Sequence, residues 1–153
     1  MVGKAVLLVT SDVKFSGKDF IYIQPGASLT LYVSCPNASF GGQGICNSAG
    51  ISSSFLYYGL PTNTSLSYGG NSTAAMAVYA PEANFTLGGG GGTTIGFAGA
   101  SVTRTVTMNG NFNYHCDEGL ARSQVLGWFA CGWDEITTPV QTIVSNNLNP
   151  STL

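Results

Sequence analysis

Charge is the scarcest property of this chain: only 8% of its 153 residues are Asp, Glu, Lys or Arg, against roughly 25% in an ordinary soluble protein. The five basic residues, Lys4, Lys14, Lys18, Arg104 and Arg122, form no electropositive stripe that would neutralise a phosphate backbone, so nucleic acid is not an expected partner. Long hydrophobic runs are also missing. The longest, Ala5 to Val9 and Ala74 to Ala80, are far too short to span a bilayer as a helix. No charged-then-apolar leader precedes Val2, yet the opening residues read as a strand from within a fold, so we expect an exported chain whose leader lies outside this sequence. Histidine occurs once, as His115, and GISSSF from Gly50 lacks the second glycine of a nucleophile elbow, which argues against serine hydrolase chemistry.

Uncharged polar residues fill the gap. With 21 glycines and runs of Ser, Thr and Asn, the composition suits strands and turns rather than helices, whose exposed faces depend on Ala, Leu, Glu and Lys. The four Asn-x-Ser/Thr sites at Asn37, Asn63, Asn71 and Asn84 follow from that composition and carry no weight. Four cysteines, Cys35, Cys46, Cys116 and Cys131, match no CxxC zinc pattern. No metal site and no cofactor are expected. Local bridges Cys35–Cys46 and Cys116–Cys131 suit an oxidising compartment, but they are one of three connectivities, and buried free thiols are the alternative.

A unit of roughly twenty residues recurs: an apolar strand, a small or proline-containing corner, an alternating strand, then a glycine turn. The clearest copies are FLYYGLPTNTSLSYGG from Phe55, MAVYAPEANFTLGGG from Met76 and IGFAGASVTRTVTMNG from Ile95. Their corners fall at Leu60-Pro61, Ala80-Pro81 and Ala100-Ser101, and weaker copies from Leu7 and Ile21 place Ser11 and Pro25 at the same bend. Gly17, Gly69, Gly88 and Gly110 close four of the units. No unit buries its apolar face alone, whereas parallel stacking makes a continuous core. The expected fold is therefore an all-β, single-domain parallel β-solenoid of about five rungs over residues 1–136, with a β-sandwich as the competing architecture. Residues Pro36 to Ser54 read as a long disulfide-pinned loop, and Gly88 to Gly92 as a turn rather than a phosphate cradle, since no Lys-Ser/Thr follows. After Gly110 a short helix from Asp117 to Leu126 and a strand from Trp128 to Ile136 would cap the stack. Residues 137–153, with Pro139 and Pro150, are expected to be extended or partly disordered.

The segments YGLPTNTSLSYGG, VYAPEANFTLGGGGG, FAGASVTRTVTMNGNFNYHCDEGL and GWDE resemble an uncharacterised C-terminal domain of bacterial envelope proteins, found behind prepilin-like or collagen-binding regions. The resemblance covers residues 3 to 136 and implies a cell-surface location and a solenoid-like fold, with no activity to carry over. Three positions depart from the family pattern: Cys116 stands where Tyr is usual, Glu82 where Asn is usual beside Pro81, and Asp134 where Arg is usual beside Trp133. The first departure supplies a partner for Cys131.

Two functions follow as expectations. One is a non-catalytic extracellular structural or adhesive module that holds polysaccharide or further copies of itself on a flat Thr/Ser/Asn-rich face. Tyr57, Tyr58 and Tyr79 are candidate contacts there, with Tyr114, Trp128 and Trp133 near the cap. The other is a glycoside hydrolase built on His115, Asp117, Glu118, Asp134 and Glu135, which requires two carboxyls roughly 5–5.5 Å apart for retention or roughly 6.5–9.5 Å for inversion. The structural reading of the same residues has Asp117 capping the helix, Glu118 pairing with Arg122, and the tryptophans sealing the core.

Overall fold

The computed structural model describes residues 2–88, 95–110 and 112–120. They form a parallel β-solenoid. The first turn of chain gives β1 (Lys4–Val9), β2 (Val13–Phe15) and β3 (Phe20–Ile23); the next gives β4 (Ser28–Val33), β5 (Asn37–Phe40) and β6 (Gly44–Asn47). A 3-10 turn, Ser52–Ser54, leads into β7 (Phe55–Gly59) and β8 (Ser65–Tyr68); then come the long strands β9 (Ala74–Gly88) and β10 (Ile95–Asn109), and finally β11 (Phe112–Cys116). Each of β9 and β10 spans two faces. Residues 74–80 continue the first face beside β7 and residues 84–88 the second beside β8, and β10 repeats this one rung on.

The first face thus stacks β1, β4, β7, β9, β10 and β11, the second stacks β2, β5, β8, β9 and β10, and the third is the pair β3–β6. Every pairing among the described strands is parallel, and apart from one shift between Thr103 and Thr105 the register is kept, so side chains form columns running along the stack. Inward columns make the core. Leu31 lies beside Tyr57, Tyr57 beside Val78 and Val78 beside Ser101. On the second face Val13, Ala38, Leu66, Phe85 and Val106 form one column, and Phe15, Phe40, Tyr68, Leu87 and Met108 the next. The middle members are fully buried, each large one contributing about 1.5–3 kcal/mol. At the two ends the same columns meet solvent: Leu7 is 47% and Met108 53% exposed although both point inward.

Two bends hold the rungs together, and the sequence locates one of them well. Gly41 and Gly69 donate N–H groups to the carbonyls of Phe15 and Phe40 in the rung below, and the turns approach closely in pairs: a Cβ on Gly42 would lie 2.9 Å from the Gly17 carbonyl, and one on Gly69 3.1 Å from that of Gly88. The other bend follows Val9, Val33, Gly59 and Ala80. Here Pro61 starts a tight turn closed by Asn63 N–H to Leu60 C=O at 2.7 Å, the position whose φ proline presets.

Three expectations change at this level. Ala100-Ser101 is no corner, because Ala100 sits beside Ala77 in mid-strand and the register shifts only between Thr103 and Thr105. Pro25 bends the chain from the third face back to the first, in a turn closed by Ala27 N–H to Gln24 C=O. Residues 36–54 are not a loop: β5 and β6 complete a rung, their few apolar residues Ala38, Phe40 and Ile45 all being buried. The Cys35–Cys46 bridge does not exist. Cys35 is buried inside the first corner and donates its thiol to the Asn37 carbonyl at 3.2 Å, whereas Cys46 alternates with the buried Ile45 and so points away from the core. Period-two alternation puts the two sulfurs on opposite sides of the wall.

Charge is distributed by rung. Lys4, Asp12, Lys14, Lys18 and Asp19 all belong to the first rung, and no Asp, Glu, Lys or Arg occurs between Asp19 and Glu82. No helix among the described residues is long and apolar enough to cross a membrane.

Candidate functional site

The outer side of the first face carries an aromatic row. Parallel register places Leu8 beside Tyr32, Tyr32 beside Tyr58, Tyr58 beside Tyr79 and Tyr79 beside Val102. These positions alternate with the buried Leu31, Tyr57 and Val78, so the row must face outward. Tyr32 and Tyr58 stack with centroids 5.0 Å apart and planes 15° from parallel, while Tyr79 is tilted by 53° at 6.3 Å. The tilt leaves Tyr79 40% exposed. Burial between its neighbours, and the nearby Tyr32 phenol, push the Tyr58 pKa up. The row presents phenol hydroxyls on an apolar ledge, its members spaced by the strand separation of about 4.8 Å.

Beside it runs a second outward column, Val6, Thr30, Leu56, Ala77 and Ala100. Around the proline bend, the outer side of the second face is polar and nearly uncharged: Lys14, Ser39, Ser67, Thr86 and Thr107 stack in one column, and Asn37, Ser65, Asn84 and Thr105 in another. Thr105 donates its hydroxyl to Asn84 Oδ1 at 2.8 Å. The surface thus combines an aromatic ledge with hydroxyl and amide ladders, the groups that meet apolar and hydroxyl-rich ligands respectively.

Of the aromatic contacts expected from sequence, Tyr58 and Tyr79 lie in the row, whereas Tyr57 does not. It is buried and donates its hydroxyl to Asn63 Oδ1 at 2.9 Å, because adjacent strand residues take opposite faces. Tyr114 also points inward, stacked on Phe97 at 4.8 Å with its hydroxyl 3.1 Å from that of Ser101. Tyr79 and Tyr114 are thus on opposite sides of the sheet. Tyr32 was not singled out, although aligning LTLYVS with FLYYGL puts it in register with Tyr58.

Asp117 and Glu118 follow the last described strand. A cavity of about 420 Å³ opens there, lined by Val106, Met108, Phe112, Asn113, Tyr114 and His115. His115 sits on β11 beside Ala98 and is exposed. Asp117 accepts the Gly119 N–H at 2.9 Å on Oδ1, and its own carbonyl accepts the Leu120 N–H at 3.1 Å, the pattern of a residue that caps a turn of helix. Glu118 is exposed. Arg122, Trp128, Cys131, Trp133, Asp134 and Glu135 lie outside the described residues, as do the expected Cys116–Cys131 bridge, the remainder of the 117–126 helix, the strand 128–136, the tail 137–153 and four of the five glycines at 88–92. Among the described residues no group of three His, Cys, Asp or Glu is placed to hold a metal ion.

The profile of a family described as a domain of unknown function (DUF7305) aligns with residues 2–123. No curated protein and no solved structure matches the chain.

Proposed function

The chain belongs to this domain family of unknown function, and from that premise we propose that it is a non-catalytic, extracellular structural and adhesive module of a bacterial surface protein that holds polysaccharide on its tyrosine row. The observation that carries the reading is the register of Tyr32, Tyr58 and Tyr79 on one outward column. A core does not need three large aromatics on its outside, and amphipathic phenol rings suit a ligand that is part apolar and part hydroxyl. The low charge of the chain supports the same class of ligand, since a neutral glycan offers no ion pairs to make. Surface location rests on the resemblance of YGLPTNTSLSYGG and the segments after it to bacterial envelope domains.

The test is retention of the whole chain on a panel of neutral and acidic polysaccharides by affinity electrophoresis. Tyr79→Ala is expected to weaken binding about tenfold, the equivalent of roughly 1.4 kcal/mol for one ring contact. Lys14→Ala, on the other face, leaves it unchanged. Failure to retain the chain on any glycan, or equal retention of wild type and Tyr79→Ala, would falsify the reading.

A further inference from the structure

Exposed apolar surface is concentrated at one end of the solenoid, on the first rung. Of the nine large apolar residues that stand exposed among those described, six lie between Val2 and Tyr22: Val2, Val6, Leu7, Leu8, Phe20 and Tyr22. Among the described residues β1 pairs only with β4, β2 only with β5 and β3 only with β6, so one edge of each has no strand beside it. A cavity of about 370 Å³ opens at this end between Leu7, Val9, Val13, Phe15 and Ile21, with Leu31 behind them. The sequence of β1, KAVLLV, is apolar on both faces, the pattern of a strand inside an assembly rather than one that ends a stack in water.

We propose that the first rung stacks on the first rung of a second copy of the chain, the two related by a two-fold axis through Leu7. Backbone direction fixes the register. The carbonyls of Gly3 and Val9 accept the N–H groups of Ser28 and Ser34, so odd-numbered residues of β1 turn their backbone groups toward β4, while Val6 and Leu8 turn theirs to the open edge. Opposed residues of an antiparallel pair must also share a face, which puts a residue, not a peptide bond, on the axis. With Leu7 there, Val6 exchanges both backbone bonds with Leu8 of the second copy, and Ala5 lies opposite Val9. A shift of the axis to Val6 or to Leu8 would set Lys4 against Leu8, or Val6 against Thr10.

Charge selects a second copy as the occupant. Lys4, Asp12, Lys14, Lys18 and Asp19 are all exposed on this rung, and the two-fold makes that mixed set self-complementary. Lys4, at the start of β1, comes to the corner that follows β1 of the other copy, where Asp12 lies. The turns between β2 and β3, opposite β1 in the three-sided rung, bring Lys18 toward Asp19 of the second copy. Inside, Val13 and Phe15 of each copy cover Ile21 of the other. This dimer does not depend on what the tyrosine row holds.

Sedimentation equilibrium of the whole chain is expected to show a dimer that dissociates on dilution, with no larger species, because a two-fold closes the interface. Leu7→Asp sets two carboxylates against each other on the axis and should raise the dissociation constant about a hundredfold. Lys4→Asp should weaken the dimer several-fold, and adding Asp12→Lys should restore it. Leu7→Cys tests the register without a new charge, and decides the matter if circular dichroism shows that Leu7→Asp does not fold. Opposed residues that are not hydrogen-bonded lie about 4.5 Å apart, within disulfide reach, so mild oxidation should link two copies through position 7 by peptide mapping. Val6→Cys, which lies opposite position 8, should give no such link. A chain that stays monomeric at all concentrations overturns the proposal. So does a dimer that folded Leu7→Asp leaves intact, a Leu7→Cys variant that does not link at position 7, or a series of larger species, which would mean head-to-tail stacking.

Discussion

Asn63 is the polar group on which the proline bend depends, and removing it should be costly in a way that can be apportioned. Its amide is fully buried, accepting from the Tyr57 hydroxyl at 2.9 Å and donating to the Cys35 carbonyl at 2.9 Å, so that it ties the rung of β7 to that of β4. Gly59 makes room for it, since a Cβ there would lie 2.6 Å from Asn63 Oδ1. Asn63→Ala leaves two buried polar groups unpaired at about 1–3 kcal/mol each, so we expect a loss of about 3 kcal/mol. Tyr57→Phe, which strands only the amide oxygen, should cost about 1.5 kcal/mol. The double variant should then fall short of the sum by about 1 kcal/mol, because the shared hydrogen bond is lost only once. Urea denaturation followed by circular dichroism measures all three midpoints against wild type. Strict additivity within about 0.3–0.5 kcal/mol, or an Asn63→Ala variant as stable as wild type, would refute the claim that these groups form one buried unit.

Two further outcomes follow from burial. Burial pushes the pKa values of Tyr57 and Tyr68 upward, against the opposing effect of their hydrogen bonds to Asn63 and Ser72. A phenol whose folded pKa exceeds its unfolded value of about 10 favours the folded state fully below that pH and loses this contribution above it, as the pH rises toward the folded value. Thermal stability should therefore fall above about pH 10, and a spectrophotometric titration should show phenolate appearing cooperatively with unfolding; independent ionisation of all seven tyrosines before unfolding would contradict it. Cys35 and Cys46, in turn, should both alkylate in denaturant without prior reduction, with Cys46 reacting first in the native protein because its side chain points outward. Peptide mapping that finds them joined would overturn their placement on opposite sides of the wall.

The repeat made the solenoid legible because β7, β8, β9 and β10 carry enough apolar residues in alternation to show their period, and because Pro61, Pro81 and the stacked glycines punctuate them. The rung of β5 and β6 was hidden. Phe40 and Ile45 are nearly its whole apolar content, and such short strands are stabilised by the rungs on either side rather than by their own pattern. The third face was missed for the same reason. Ala100 was mistaken for a corner because small residues serve equally at a bend and under a packed leucine, and only the position of Leu120 separates the two. Cysteine spacing suggested a bridge between Cys35 and Cys46, but spacing along a chain carries no information on parity between two strands. The tyrosine row was half visible: Tyr58 and Tyr79 could be named, but which of Tyr57 and Tyr58 points outward depends on one residue of register.

That dependence on register also quantises how such a chain can change in length. A single inserted residue in β4 or β7 would reverse the alternation beyond it, sending a tyrosine into the core and a core residue out to solvent. A whole added rung would keep every phase and lengthen the outward row by one step of about 4.8 Å. Between Asp19 and Glu82 there is no charged residue to clash with a duplicate of itself, so the middle rungs are the segment in which the domain can grow or shrink by complete cassettes, and with them the length of its outward tyrosine row.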